Sequence, residues 1–181
     1  MRIIDGKDFS FRDTCVTIGK FDGVHIGHRR ILDKVTELSR KKKLLSTVFT
    51  FDFEYFKTKD EIRLNSRAEK IDLLEKAGID LLIDYPFDVE TKNMLPEEFV
   101  LNILLEKLGC RALVVGENFR FGKGAVGDTS TLNELGNKYG FEVYACSMVE
   151  YEGTQVSSSR IREELARGNT GAANRMLRDK A

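Results

Sequence analysis

The stretch Thr17–Arg29 most constrains the fold, because there a short apolar run passes through a glycine-punctuated loop into a helix start. Three glycines, at positions 19, 23 and 27, let the backbone turn tightly and approach a ligand with no Cβ in the way. The first N–H groups of the following helix lack partners inside the helix and attract an anion. The sequence therefore predicts a phosphate-binding loop between a strand and a helix.

Beyond this stretch, short apolar runs alternate with amphipathic helical patterns. The predicted strands are residues 15–19, 44–51, 79–85, 111–116 and 141–147. The predicted helices are residues 26–43, 67–78, 96–108, 131–139 and 157–167, with a further short helix within 169–181. A strand–helix–strand unit favours a right-handed crossover between parallel strands. We therefore expect an α/β protein with a Rossmann-like, doubly wound parallel sheet of about five strands.

Length and composition indicate one domain, residues 1–181, with a substantial core, since 41% of the side chains are hydrophobic. The 29 basic and 29 acidic side chains cancel. This balance argues against nucleic-acid binding through a broad basic field and favours a small anionic ligand. No signal peptide is visible, and no apolar run approaches the ~20 residues that span a bilayer. We expect a cytoplasmic protein that contacts no membrane and has no obligate protein partner.

The three cysteines, Cys15, Cys110 and Cys146, are far apart and lie in apolar runs. Their odd number and wide spacing indicate neither a disulfide framework nor a metal site. We expect all three to be buried strand residues in a reducing compartment, and we expect no metal-binding residues in the protein.

Two further segments have the composition of ligand-binding loops. Residues 116–128 interleave glycines with Asn118, Arg120 and Phe121 directly after a predicted strand, which is where open α/β sheets bind ligands. Aromatic residues also recur with period two at Phe49, Phe51, Phe53 and Tyr55. That series fits either a half-buried strand face or a stacking surface for a flat heteroaromatic ligand.

The segment Val156–Arg162 opens a helix with three serines and two arginines. The serines are explained as caps, but cations in a first turn oppose the helix dipole unless an anion lies among them. A single histidine is usually a satisfied core residue, whereas His25 and His28, spaced i, i+3 around a glycine, are hard to explain by packing. We expect the two helix starts to hold a polyphosphate between them.

These motifs identify a family. The run Gly-Lys-Phe-Asp-Gly-Val-His-Ile-Gly-His at 19–28 is similar to the HxGH motif of the nucleotidyltransferase superfamily, and 156–162 resembles its ISSTxxR motif. With the segments 114–122 and 168–177, the whole chain resembles the FMN adenylyltransferase domain of prokaryotic FAD synthetases. The resemblance implies a fold of nucleotidyltransferase type and the reaction of MgATP with FMN to give FAD and pyrophosphate. ATP and FMN would be substrates, with Mg²⁺ bound to the phosphates.

The resemblance also implies roles for individual residues. His25, His28 and Arg162 would be catalytic, the histidines donating to the α- and β-phosphates and Arg162 holding the leaving pyrophosphate. The implied ATP-binding residues are Gly19, Phe21, Asp22, Gly23, Gly27, Ser158 and Arg160. The implied flavin-binding residues are Phe51, Asn118, Arg120 and Phe121.

The sequence departs from this family at Phe53-Glu-Tyr55, where a Pro-His-Pro element is usual in the flavin-binding region. Two alternatives therefore stay open: a nucleotidyltransferase for another phosphorylated acceptor, and a non-catalytic homologue that binds flavin or nucleotide. Retention of His25, His28 and Arg162 argues against the second. No riboflavin kinase domain follows in the sequence, so we expect no phosphorylation of riboflavin.

Overall fold

Six parallel strands form the central sheet of the protein, whose computed structural model describes residues 1–52 and 63–177. The strands are β1 (Arg2–Asp5), β2 (Thr14–Ile18), β3 (Leu45–Asp52), β4 (Leu81–Pro86), β5 (Cys110–Gly116) and β6 (Glu142–Cys146). They lie side by side in the order β1-β4-β3-β2-β5-β6, and every neighbouring pair is parallel. This confirms the predicted parallel α/β fold, with one strand more than expected.

Helices connect the strands. They are α1 (Ile26–Lys42), α2 (Arg67–Lys76), α3 (Val89–Asn93), α4 (Pro96–Phe99), α5 (Thr129–Tyr139), α6 (Ser158–Ala166) and α7 (Thr170–Leu177). A π-helix, Val100–Lys107, continues α4, and a 3₁₀ turn spans Lys123–Ala125. A two-stranded hairpin, β7 (Glu150–Tyr151) and β8 (Thr154–Gln155), precedes α6. None of the helices in the described ranges has the length and apolarity needed to cross a bilayer.

The sheet is covered on both faces because side chains alternate along each strand. Cys15 of β2 packs with Leu32 and Val35 of α1 on one face. Val16 of the same strand packs on the other face, with Ile103 of the π-helix and with α5. This confirms the doubly wound architecture.

The direction of strand addition reverses at β2, which has β3 on one side and β5 on the other. In open α/β sheets, ligands bind beyond the carboxyl ends of the strands at such a switch point. The loops that follow β2 and β5 are the two glycine-rich segments of the sequence, 19–25 and 117–128. The topology therefore brings them to the same edge of the sheet, although about a hundred residues separate them.

Several predicted features needed correction. The N-terminal strand β1 was missed, because its four residues form a sheet edge with only partial burial and carry little apolar signal. The predicted helix 96–108 is α4 followed by a π-helix, and α3 and the β7–β8 hairpin were not predicted. Cys15 and Cys110 are buried strand residues as expected, but Cys146 is only partly buried at the end of β6.

Candidate active site

The loop between β2 and α1 reverses the chain within a few residues. Three residues of this loop have a left-handed backbone conformation: Phe21 (φ 49°), Gly23 (φ 87°) and Val24 (φ 36°). The φ of 87° at Gly23 is one that side-chain-bearing residues rarely adopt, and a Cβ there would also lie 2.8 Å from Cδ1 of Leu64, so glycine is favoured. The reversal buries the ring of Phe21 and places His25 at the helix start.

His25 is the N-cap of α1, and its Nδ1 accepts a hydrogen bond from the backbone N–H of His28 at 3.3 Å. The two imidazole rings stack, with centroids 3.8 Å apart and planes 16° from parallel. A Cβ at Gly27 would lie 3.2 Å from atoms of the His25 ring, which explains the glycine between the histidines. The HxGH motif therefore caps α1 through the side chain of its first histidine.

Both histidines are neutral at pH 7. Burial lowers the pKa of His25 to about 4, against an opposing effect of the Asp22 carboxylate. Burial and then the neighbouring His25 hold the pKa of His28 well below its ordinary value. Because Nδ1 of neutral His25 accepts a bond, the proton of this ring lies on Nε2, which can donate to a ligand.

The second half of the site is the start of α6, which is bonded to the first loop. Ser158 Oγ donates to the backbone carbonyl of Asp22 at 2.7 Å, and the Arg162 guanidinium forms an ion pair with the Asp22 carboxylate. Asp22 Oδ1 also accepts from the backbone N–H of Leu64 at 3.0 Å. The side chains of Asp22 and Arg162 are only 17% and 21% exposed, so the pair is shielded from water. Asp22 thus joins three segments of the chain.

An open cavity of about 340 Å³ lies between the two halves. Its lining includes the predicted residues Asp22, His25, Gly27, His28, Ser158 and Arg162. The structure therefore brings the HxGH segment and the serine-arginine segment to one cavity. Gly19, Phe21 and Gly23 shape the loop behind it but do not line it.

Arg160, expected to bind ATP, contacts the hairpin that precedes α6. Its Nη1 donates to the backbone carbonyls of Tyr151 at 2.9 Å and Thr154 at 2.5 Å, and its guanidinium lies 5.8 Å from the centre of the Tyr151 ring. Arg160 does not line the cavity. Carbonyl oxygens therefore accept from this cation in the first turn of α6, and the residue supports the β7–β8 hairpin.

The four residues expected to face a flavin lie at the carboxyl ends of β3 and β5, outside the cavity lining. Phe51 and Phe121 both pack against Phe99, with ring centroids 6.5 Å and 6.1 Å away. Phe121 is 8% exposed, so most of its ring belongs to the core. Asn118 and Arg120 are exposed. The two strand ends therefore share one aromatic cluster, while the departure at 53–55 lies outside the described residues.

Sequence reasoning missed the apolar wall of the cavity and one cation. The wall comprises Ile31, Gly116, Cys146, Met148 and Val149, at the carboxyl ends of β5 and β6 and on α1. The cation is Lys20, inside the glycine loop. The adjacency of β6 to β5 could have indicated the wall, and the position of Lys20 between two motif residues could have indicated the cation.

A binding site for a metal ion was also sought. Within residues 1–52 and 63–177, no group of three or more His, Cys, Asp or Glu side chains could hold one. The carboxylate in the cavity lining, that of Asp22, is engaged by Arg162 and by the Leu64 N–H.

A doubly wound parallel sheet with paired histidines at its switch point defines a Rossmann-like α/β protein of nucleotidyltransferase type. A solved structure of the same fold is the "Macrolide-efflux Protein from Streptococcus pneumoniae", which has a TM-score of 0.85, covers 97% of this chain and 59% of its own, and is 24% identical. At this identity the likeness shows the fold alone.

The family model described as FAD synthetase matches residues 7–160, and the chain belongs to the FAD synthetase family. The bifunctional riboflavin kinase/FMN adenylyltransferase of Escherichia coli K12 is 35% identical over 171 residues, which cover 92% of this chain and 55% of that protein. The FAD synthetase of Listeria monocytogenes is 34% identical over 170 residues, which cover 92% of this chain and 69% of that protein. The chain thus spans about half to two thirds of the length of these relatives.

Proposed function

We propose that residues 1–181 form one nucleotidyltransferase domain that transfers the adenylyl group of ATP to FMN, giving FAD and pyrophosphate. The observation that carries this proposal is the cavity that joins the stacked His25–His28 pair to Ser158 and Arg162. Membership of the FAD synthetase family supports the choice of FMN as the acceptor.

The chemistry needs no nucleophile from the protein. An oxygen of the FMN phosphate, mostly dianionic above its second pKa of about 6, attacks the α-phosphorus of ATP. The bond from that phosphorus to the oxygen bridging the α- and β-phosphates breaks, and both electrons of the bond leave with pyrophosphate. Catalysis is then positioning of the two phosphates and stabilisation of the charge that builds on the oxygens.

Each residue on the ATP side has a role that its position supports. Neutral His25 donates from Nε2 to a phosphate oxygen, and the buried partner His28 holds that ring by stacking and contributes its own ring to the cavity wall. The first turn of α1 also offers backbone N–H groups to this phosphate, apart from those of His28 and Arg29, which bond His25. Arg162 exchanges Asp22 for the β- and γ-phosphates when ATP arrives, and Gly23 and Gly27 permit the close approach.

The flavin ring is assigned to the aromatic cluster at the ends of β3 and β5. Phe51 and Phe121 offer apolar ring surface there, and the exposed side chains of Asn118 and Arg120 offer hydrogen-bond donors. Mg²⁺ enters as part of the MgATP substrate and is held by phosphate oxygens and water. Three unpaired cysteines support a cytoplasmic location, and no protein partner is needed for the reaction.

One assay tests the proposal. The purified protein is incubated with MgATP and FMN, and FAD and pyrophosphate are measured by chromatography and a coupled phosphate assay. We expect equal amounts of both products, and no FAD when riboflavin replaces FMN. Pyrophosphate release only with a different phosphorylated acceptor would favour a nucleotidyltransferase for that acceptor. Nucleotide binding without turnover would favour a non-catalytic homologue.

A further inference from the structure

Lys20 lies in the glycine loop at the border between the two halves of the site. The backbone N–H of the preceding Gly19 donates to the carbonyl of Phe49 at 3.1 Å, which extends the β2–β3 pairing by one residue. The Lys20 carbonyl accepts from Thr50 Oγ1 at 3.4 Å and from Lys70 Nζ at 3.5 Å. The backbone of Lys20 is therefore fixed to the carboxyl end of β3, the strand that carries Phe51.

The loop turns sharply after this residue, and the two neighbouring side chains separate. Phe21 has a left-handed backbone (φ 49°), and its ring is 1% exposed, with its centroid 5.0 Å from that of His28. Lys20 is exposed and lines the cavity with both histidines. Lys20 thus lies between the histidine pair, on the nucleotide side, and the end of β3, on the flavin side.

Lys20 is one of the charged residues that line the cavity. Among the described lining residues, those with a full charge at pH 7 are Lys20, Asp22 and Arg162, because burial keeps both histidines neutral. Asp22 and Arg162 form an ion pair, so their charges cancel. Lys20 and Arg162 are therefore the two cations among the described residues that line the cavity. Two phosphate-bearing substrates repel each other at contact distance unless a cation lies between or beside them.

We propose that the Lys20 ammonium binds the phosphate of the acceptor and thereby selects phosphorylated flavin over riboflavin. This assignment rests on the proposed function. Arg162 serves the leaving pyrophosphate on one side of the reacting phosphorus, and Lys20 serves the attacking phosphate on the side of β3. Its role is electrostatic, since an ammonium has three donors for phosphate oxygens and no lone pair for nucleophilic attack.

The test compares Lys20→Gln with the wild type for two ligands that differ by one phosphate. Dissociation constants of FMN and riboflavin are measured from flavin fluorescence, and KM values for FMN and MgATP from FAD formation. We expect FMN to bind about tenfold more weakly to the variant, as fits the loss of one charge-assisted contact. Riboflavin affinity and the KM for MgATP should stay within about twofold. Lys20→Arg should keep most of the FMN affinity.

Lys41→Gln, an exposed lysine at the far end of α1, is the matched control and should change none of these values. Equal weakening of FMN and riboflavin in Lys20→Gln would indicate loop damage and overturn the assignment, as would an effect on MgATP alone or no effect. If the wild type makes FAD and one of these results is found, the Lys20 role alone fails. If the wild type makes no FAD from FMN, the proposed function fails and the Lys20 role falls with it.

Discussion

At the scale of single residues, the site depends on two imidazole rings that are held before any ligand arrives. His25 is fixed by the capping bond from the His28 N–H, and His28 is fixed between the rings of His25 and Phe21. A donor held in place by the fold needs no reorganisation when charge develops on a phosphate oxygen. The stacked pair can therefore act on phosphate while uncharged in the free protein.

His28→Ala is expected to lower kcat by at least about 100-fold, because one oriented group in the cavity wall is lost. The same change removes a buried ring that contacts Phe21 and His25, so it should also reduce the free energy of unfolding by about 1–3 kcal/mol. Steady-state kinetics and urea unfolding measure the two effects. Val35→Ala, at a fully buried position farther along α1, is the control. We expect it to destabilise the fold by a similar amount and to leave kcat normal. An unimpaired kcat in His28→Ala would remove His28 from the catalytic residues.

The pKa of His25 gives a stability prediction with a defined sign. Its pKa is about 4 when folded and about 6.5 when unfolded, so between these values the unfolded chain binds a proton that the folded chain does not. Stability is therefore complete above pH 6.5 and falls as the pH falls toward 4. From pH 7.5 to pH 5 the loss from His25 is about 2 kcal/mol. His25→Asn can still cap the helix, and between these pH values its free energy of unfolding should fall by about 2 kcal/mol less than that of the wild type. Urea unfolding at both pH values measures the difference. If the stability of the wild type and of His25→Asn fell equally between the two pH values, the lowered pKa of His25 would be contradicted.

At the scale of elements, the start of α6 contains two arginines with different tasks. Arg162 faces the cavity and Asp22, whereas Arg160 binds carbonyls of the hairpin that leads into the helix. Both fit the same sequence pattern, since each is a cation in a first turn. Only the partners in the structure separate them.

Arg160→Met should therefore destabilise the fold by about 1–2 kcal/mol, because the carbonyls of Tyr151 and Thr154 lose their donor. Its KM for MgATP should change less than about threefold. Arg162→Met should instead lower kcat/KM for MgATP at least about 100-fold, and it should also reduce stability, because it leaves the Asp22 carboxylate without its ion-pair partner. Thermal unfolding and steady-state kinetics on both variants make the comparison. A large MgATP effect in Arg160→Met would return that residue to the phosphate site.

The sequence sufficed for the elements whose signals are local. Ser66 and Glu69 form a capping box at the start of α2, and Gly109, with φ 53°, follows the end of the helical segment; both signals lie within a few residues of the helix ends that they mark. The edge strand β1 carried too few apolar residues, and its pairing with β4 depends on residues about eighty positions away. A π-helix has the same apolar content as an α-helix, so periodicity alone did not separate them.

For the site, the motif residues were predictable because HxGH and the serine-arginine run each mark a helix start. That the two starts share a cavity follows only from folding, through the Ser158–Asp22 and Arg162–Asp22 contacts. The apolar wall formed by Cys146, Met148 and others carries no motif at all, since its residues are joined by strand adjacency. Pairing between distant segments is the part that single-sequence patterns do not contain.

At the scale of the whole molecule, the C-terminal helices cover the glycine loop. Val156, Ile161, Ala173 and Met176 form a buried cluster of their own, separate from the two faces of the sheet. A Cβ on Gly23 would lie 3.1 Å from Cδ2 of Leu177, so the end of α7 rests directly on the loop. Polar contacts from α6 to this loop include those of Ser158 and Arg162 with Asp22. The docking of α6 and α7 is therefore tied to the state of the site.

A ligand that bridges the histidine loop and α6 should consequently stabilise the C-terminal helices more than the rest of the fold. We expect MgATP to slow backbone hydrogen–deuterium exchange in α6, α7 and residues 19–28, while amides of β1 and β4, at the opposite side of the sheet, change little. Arg162→Met should lose most of this protection, since it removes the side chain that spans the two halves. A uniform slowing across the chain would instead mean that MgATP acts through global stability alone. Protection that persists in Arg162→Met would show that the histidine loop binds the nucleotide without the help of α6.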